Sequence, residues 1–282
     1  MATMNSIIDR LDQLLDRAER LLPASDPAID WTAQAFRWRT VNGRGFLQAV
    51  RHPHRVALEA LQNIDAHKEA LVRNTRRFIE GKPANNVLLT GARGTGKSTL
   101  IKAVWSSFSD QDLKLVEVDK ADLPNLSDIL VLLEERPEHF IVFCDDLSFE
   151  EGDISYKALK SALDGSIAAP AENIVFYATS NRRHLLPQTM RDNLDVSYEE
   201  GELRPSDSIE EKTSLSDRFG LWLSFYPFSQ TEYLAAARYW VEALGGQWDE
   251  EVEAEALLWH RTRGARSGRV AWQFARDHVD PA

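Results

Sequence analysis

Apolar positions along the chain change their period in a set order. From Met1 to Leu22, the residues Met1, Met4, Ile8, Leu11, Leu15, Ala18 and Leu22 recur at alternating spacings of three and four. That spacing predicts an N-terminal helical extension with one apolar stripe, ended by Pro23, which packs on the protein's own body or pairs with a partner helix. After Pro53 a helical stretch leads into short apolar runs at Val87–Leu89, Leu113–Val118, Phe140–Cys144, Ile174–Ala178 and Leu221–Phe225. Continuous apolar runs of this length read as strands buried on both faces. Helix-length segments such as Asp128–Arg136 and Tyr156–Leu163 separate them, so the expectation is an α/β fold with a five-stranded, largely parallel sheet covered by helices.

Past Pro227 the strand pattern ends. Thr231–Leu244, Glu250–His260 and Arg269–His278 predict a small C-terminal helical lid. The expected divisions are 1–55 (N-terminal helix and an arm), 56–227 (α/β body) and 228–282 (lid). Ser197–Ser216 is polar, acidic and punctuated by Pro and Gly, and reads as a mobile loop.

Composition narrows the partners. Of 282 residues, 43% are hydrophobic and 27% charged, ordinary for a soluble globular chain, and the net charge of -11 argues against a surface built wholly to grip nucleic acid. One segment runs against that balance. Between Trp31 and Arg55 there is no Asp or Glu, and Arg37, Arg39, Arg44, Arg51 and Arg55 are interleaved with Trp31, Phe36, Trp38 and Phe46. Arginines among aromatics suit phosphate contact and base stacking with a nucleic acid; the alternative is an arm packed across the domain, its arginines paired with carboxylates. The single cysteine, Cys144, excludes an internal disulfide and fits a cytoplasmic setting, and its place inside an apolar run makes it a core residue. No stretch has the length and apolarity of a membrane span, nor the N-terminus the apolar core of a signal peptide.

The chemistry concentrates at Gly91-Ala92-Arg93-Gly94-Thr95-Gly96-Lys97-Ser98, which fits G-x-x-x-x-G-K-[ST], follows a strand and opens a helical stretch at Thr99. Glycines let backbone N–H groups close around phosphates, and the helix behind presents its positive end. Lys97 is expected to neutralise the β- and γ-phosphates and Ser98 to offer its hydroxyl to Mg²⁺. The nucleotide expected is ATP, because the chain has no Asn/Thr-Lys-x-Asp guanine motif. A carboxylate at the end of a neighbouring buried strand completes such a site, and Phe140–Asp146 ends in two. Asp145 is expected to hold Mg²⁺ through water. Asp146 either polarises the attacking water as general base or caps the next turn, with Glu150 and Glu151 as other candidate bases.

Three further residues follow in order. Asn181, after the fourth strand, would hold the attacking water or the γ-phosphate, or else forms a turn. Arg218, just before the fifth strand, is a candidate arginine finger for a neighbouring subunit, or an ion-pair partner of Asp217. Arg269, opening the last helix, would reach the γ-phosphate from the lid, with Arg266 as the competing candidate.

In this order these positions resemble Walker A, Walker B, sensor 1, arginine finger and sensor 2 of AAA+ ATPases, over about Val56–Val279. More narrowly, Asn85–Ser98, Cys144–Phe149 and Ser216–Gly220 look like the bacterial predicted-ATPase family called domain of unknown function 815, itself similar to the initiator and helicase-loader branch. The resemblance implies a Mg²⁺-dependent ATPase of P-loop AAA+ fold, a homo-oligomer using Arg218 in trans, and a protein partner it does not identify. It also implies an adenine-contacting turn at Leu61–Asp65, with Leu61 and Ile64 against the base and Asn63 where glycine is usual. Asp146 stands where most AAA+ proteins have Glu, and the shorter side chain implies slow turnover used as a switch. The competing reading is a nucleotide-gated module that binds nucleic acid or a replication protein with little turnover; a small-molecule kinase lacks a metabolite signature.

Overall fold

The computed structural model describes residues 29–150, 152–164, 171–182, 185, 197–199, 202–204 and 215–279. The chain divides into two compact units, Met1–Asp30 and Trp31–Ala282. The stripe expected over Met1–Leu22, and Glu151 among the candidate bases, lie outside the described residues.

Nine strands are described: β1 (Ala35–Val41), β2 (Arg44–Ala49), β3 (Val87–Gly91), β4 (Leu113–Glu117), β5 (His139–Cys144), β6 (Ile174–Ser180), β7 (Ser197–Glu199), β8 (Glu202–Arg204) and β9 (Leu221–Phe225). Seven of them form one sheet in the order β2-β1-β4-β5-β6-β3-β9, parallel throughout except for the β1–β2 pair. The five expected strands are all present and adjacent, but the strand count requires correction, because the segment read as an arm supplies two more. Asn42 and Gly43 both take positive φ (52° and 75°), which makes a two-residue turn whose twist matches a hairpin. Side chains then alternate across β1: Phe36 and Trp38 are buried, while the Arg37 guanidinium pairs with Glu117 at 2.5 Å. These aromatics are core rather than stacking surface. Arg39, Arg44 and Arg51 stay exposed.

The loop expected over Ser197–Ser216 is also corrected in part. β7 and β8 pair antiparallel, Tyr198 opposite Leu203. Three-residue strands are too short to show alternation in a sequence.

Helices cover the main sheet: α1 (Asp65–Ile79), α2 (Lys97–Phe108), α3 (Leu126–Glu134) and α4 (Ile154–Asp164), with 3-10 turns at Leu58–Ala60, Lys120–Asn125 and Ser216–Arg218. Leu71 and Phe78 of α1 and Leu100, Ile101 and Val104 of α2 share one core with Leu89, Ile141 and Tyr177. The alternate residues Leu88, Val142 and Phe176 are equally buried on the opposite face, which is why these strands read as unbroken apolar runs. The Tyr177 hydroxyl fastens β6 to α1 through Thr75 (2.7 Å) and Asn74 (3.3 Å), and burial pushes its phenol up to about 12.

The lid comprises α5 (Gln230–Ala243), α6 (Glu250–Arg263) and α7 (Gly268–His278), packed around Tyr233, Ala237, Val241, Ala256 and Phe274. Each lid helix starts on a side-chain cap. Ser229 and Glu232 form a reciprocal box, Asp249 accepts from the Val252 N–H, and Ser267 from the Val270 N–H. Among the described residues, hydrogen bonds seat the lid on the body where Asn63 Nδ2 donates to the Glu232 carbonyl (2.9 Å) and the Arg269 N–H to the Gly94 carbonyl (3.1 Å). Among the described residues no helix is long and apolar enough to cross a membrane.

Candidate functional site

Parallel pairing sets Cys144 opposite Ala178 and Thr90 opposite Ser180, so the loops leaving β5, β6 and β3 emerge side by side. Sites in open parallel sheets form at such carboxyl ends. The loop after β3 fits only as glycine where the chain turns. Gly91 has φ +126°, and a Cβ there would lie 1.8 Å from the Phe225 carbonyl oxygen. Thr95 closes the loop by donating to the Ala92 carbonyl (2.8 Å), and Gly96 starts α2.

Lys97 is buried, and its ammonium donates to the carbonyls of Gly91 and Ala92 (2.8 Å each) and to Asn181 Oδ1 (3.0 Å). Burial holds its pKa below the usual lysine value. Asp146 and Asp145 push it back up, while Arg269 and Arg93 lower it. The same Asn181 donates through Nδ2 to Asp146 Oδ1, so lysine, amide and carboxylate form one chain. Asp146 sits at φ +52°, its N–H donating to Thr179 Oγ1 (2.9 Å), with the Arg93 guanidinium 4.0 Å from its carboxylate. Among the described residues its carboxylate accepts a hydrogen bond from Asn181 rather than from a following turn. Glu150, the alternative base, is drawn toward Arg182 at 3.3 Å.

Asp145 Oδ1 accepts from both Ser98 Oγ and Thr179 Oγ1, at 2.6 Å each. Mg²⁺ takes one or two protein oxygens and completes its shell with phosphate and water, and this hydroxyl–carboxylate pair fits that habit. Among the described residues no group of three or more His, Cys, Asp or Glu is arranged to hold a metal ion.

A cavity of about 950 Å³ joins this cluster to the lid. Arg93, Gly94, Thr95, Gly96, Lys97, Ser98 and Thr99 line it together with Asp145, Asp146, Asn181 and Arg269, while Gly91 and Ala92 are not among the lining residues. Arg266 is exposed and absent from the lining. Leu61 and Ile64 also line the cavity, within 3.4 and 3.9 Å of where a Cβ on Gly96 would lie. Asn63 between them takes φ +63°, a left-handed conformation that asparagine tolerates, so glycine is not required there. Sequence reasoning missed Trp240 and Trp272 of the lid, which also face this cavity.

Arg218 lies elsewhere. It is not among the lining residues, and its guanidinium pairs with Asp164 at the end of α4, Nη2 to Oδ2 at 2.8 Å. The alternative to a finger was an ion pair with Asp217; the guanidinium pairs instead with Asp164 of α4, while Asp217 also acts on it through its charge.

A parallel sheet with a glycine-rich phosphate loop after β3, paired carboxylates after β5 and a helical lid defines the P-loop AAA+ fold. Solved structures agree. Two mutants of Thermotoga maritima RuvB superpose with TM-scores of 0.53 and 0.52, at 16% and 15% identity, over 78% of this chain and 64% and 63% of theirs. The Aeropyrum pernix Orc1 protein in complex with DNA gives 0.54 at 14% identity, over 78% and 62%. The chain therefore spans a little under two thirds of these neighbours' lengths, and at such identity the likeness is one of fold. No curated protein matches it. The chain belongs to the family described as protein of unknown function (DUF815), whose model matches residues 31–281.

Proposed function

We propose that this chain binds ATP with Mg²⁺ and hydrolyses it slowly, as a switch that assembles with copies of itself and acts on a protein partner. The observation that supports this best is that Lys97, Ser98, Asp145, Asp146, Asn181 and Arg269 all line one cavity of nucleotide size. Lys97 exchanges its loop carbonyls for phosphate oxygens, and the N-terminus of α2 adds its positive end. Ser98 and Asp145 would hold the metal, which would supply charge neutralisation to the phosphates. Asn181 orients the attacking water and Asp146 accepts its proton. Arg269 brings lid charge to the γ-phosphate. Asp146 is one methylene shorter than glutamate, which favours slow turnover.

Arg218 serves the neighbouring copy, in keeping with its place outside its own cavity. The same reading puts the protein in the reducing cytoplasm, where the buried Cys144 thiol, pushed up to about 12, stays inert. The test is ATPase rate across protein concentration for wild type, Lys97→Ala and Arg218→Ala. The rate per chain is expected to rise with concentration; Lys97→Ala loses nucleotide affinity, and Arg218→Ala keeps it but slows by about 10³-fold or more. A rate per chain independent of concentration, with Arg218→Ala at full speed, defeats the assembled switch.

A further inference from the structure

We propose that Asp164 is a positioning residue for the reaction, a latch that holds Arg218 out of use until the guanidinium meets the phosphates bound by a neighbouring copy; this rests on the assembled switch proposed above. Arg218 ends the 3-10 turn Ser216–Arg218, and the backbone of that turn is pinned. Leu215, Ser216 and Phe219 are buried around it. The Arg218 N–H donates to the Leu215 carbonyl (3.3 Å) and the Phe219 N–H to the Ser216 carbonyl (3.1 Å). A change of partner therefore asks only for rotation of the Arg218 side chain.

Fork geometry makes the two partners alternatives. Nε and Nη2 of Arg218 donate to the two different oxygens of Asp164, Nη2 to Oδ2 at 2.8 Å. Those parallel N–H groups form the edge with which a guanidinium clasps a phosphate. While the carboxylate occupies that edge, the finger cannot present it to a neighbour. Among the groups that favour the charged guanidinium Asp164 comes first, ahead of Tyr156 and Asp217.

The latch is also weak enough to open. Both side chains reach solvent, at 25% and 41% exposure, and water screens an ion pair so placed. The guanidinium meets one negative charge on Asp164 and several on a triphosphate, so it changes partner once two copies are in contact. Freeing it costs part of the association free energy, which shifts assembly to higher concentration. Asp164 stands at the end of α4, and the buried Tyr156 and Leu159 anchor that helix, so removing its carboxylate opens the latch and leaves the helix packed.

ATPase rate per chain across protein concentration, measured on wild type, Asp164→Asn, Asp164→Ala, Arg218→Ala and the Asp164→Asn/Arg218→Ala double variant, tests this. Both single Asp164 variants are expected to reach half their maximal rate at about two- to fivefold lower concentration than wild type, with the plateau held within about twofold. The double variant is expected to match Arg218→Ala, since the latch acts through the guanidinium. A gain of rate at low concentration is a result that damage to α4 does not produce. Asp164 variants whose curves overlay wild type or move to higher concentration, or a double variant faster than Arg218→Ala, overturn the latch while the finger stands. Arg218→Ala at the wild-type rate removes the finger itself, and the latch with it.

Discussion

Replacing Gly94 by alanine tests whether the lid is seated on the phosphate loop. Gly94 holds φ +77°, where a side chain costs about 1–2 kcal/mol. Its new methyl would lie 2.8 Å from Ser267 Oγ and 3.2 Å from Arg269 Cβ. Ser267 Oγ is the cap of α7, and the Gly94 carbonyl accepts the Arg269 N–H. Moving the lid aside therefore disturbs a cap worth about 0.5–2 kcal/mol and a backbone hydrogen bond worth about 0.5–1.5 kcal/mol. The expected total loss is about 2–5 kcal/mol. Gly81→Ala is the control, since φ is +65° and nothing lies within 4 Å of its Cβ, so only the strain of about 1–2 kcal/mol applies. Urea unfolding of both variants gives the difference, and ATP affinity should drop further in Gly94→Ala because Arg269 moves with the lid. Equal destabilisation and equal affinity in the two variants would refute the seating of the lid on Gly94.

Other outcomes follow from the same geometry. Burial holds Lys97 below the usual lysine pKa and a bound triphosphate favours its protonated form, so affinity weakens, and binding takes up protons, as pH rises through that lowered pKa. Calorimetry in two buffers of different ionisation enthalpy measures that uptake, and a pH-independent affinity contradicts it. Tyr177→Phe is expected to cost about 1–2 kcal/mol in urea unfolding, because Thr75 and Asn74 keep their bonds to Leu71 and Asn85 and lose only the phenol; no measurable loss means the hydroxyl does not fasten β6. Single-stranded DNA binding, followed by anisotropy, is expected to be weak and electrostatic. Changing Arg39, Arg44 and Arg51 together to Gln should lower its log–log salt slope by about 2, and an unchanged slope removes the hairpin as a phosphate contact.

The parallel core was legible because strands buried on both faces carry one signal along their whole length, and Gly91–Ser98 and Asp145 follow such strands directly. The β1–β2 hairpin was hidden by its own chemistry. Phe36 and Trp38 alternate with Arg37 and Arg39 in a period of two, and Asn42-Gly43 is a strong hairpin signal, yet the arginine–aromatic mixture drew the reading toward a nucleic-acid arm. Asp164 was out of reach for another reason: it lies 54 residues before Arg218, and only packing of α4 beside the turn brings them together. Trp240 and Trp272 read as ordinary apolar positions on two helices. Their shared direction toward a cavity is a tertiary fact that no periodicity carries.

The most direct test is calorimetric titration of the wild-type chain with ATP, with Mg²⁺ and with the metal chelated, repeated on Asp145→Asn. One site per chain is expected, tightened by Mg²⁺ in wild type, with the metal dependence lost in the variant while metal-free binding persists. No saturable binding by wild type under either condition, or a Mg²⁺ effect undiminished in Asp145→Asn, would contradict the assignment of Lys97 and Asp145 to one nucleotide site.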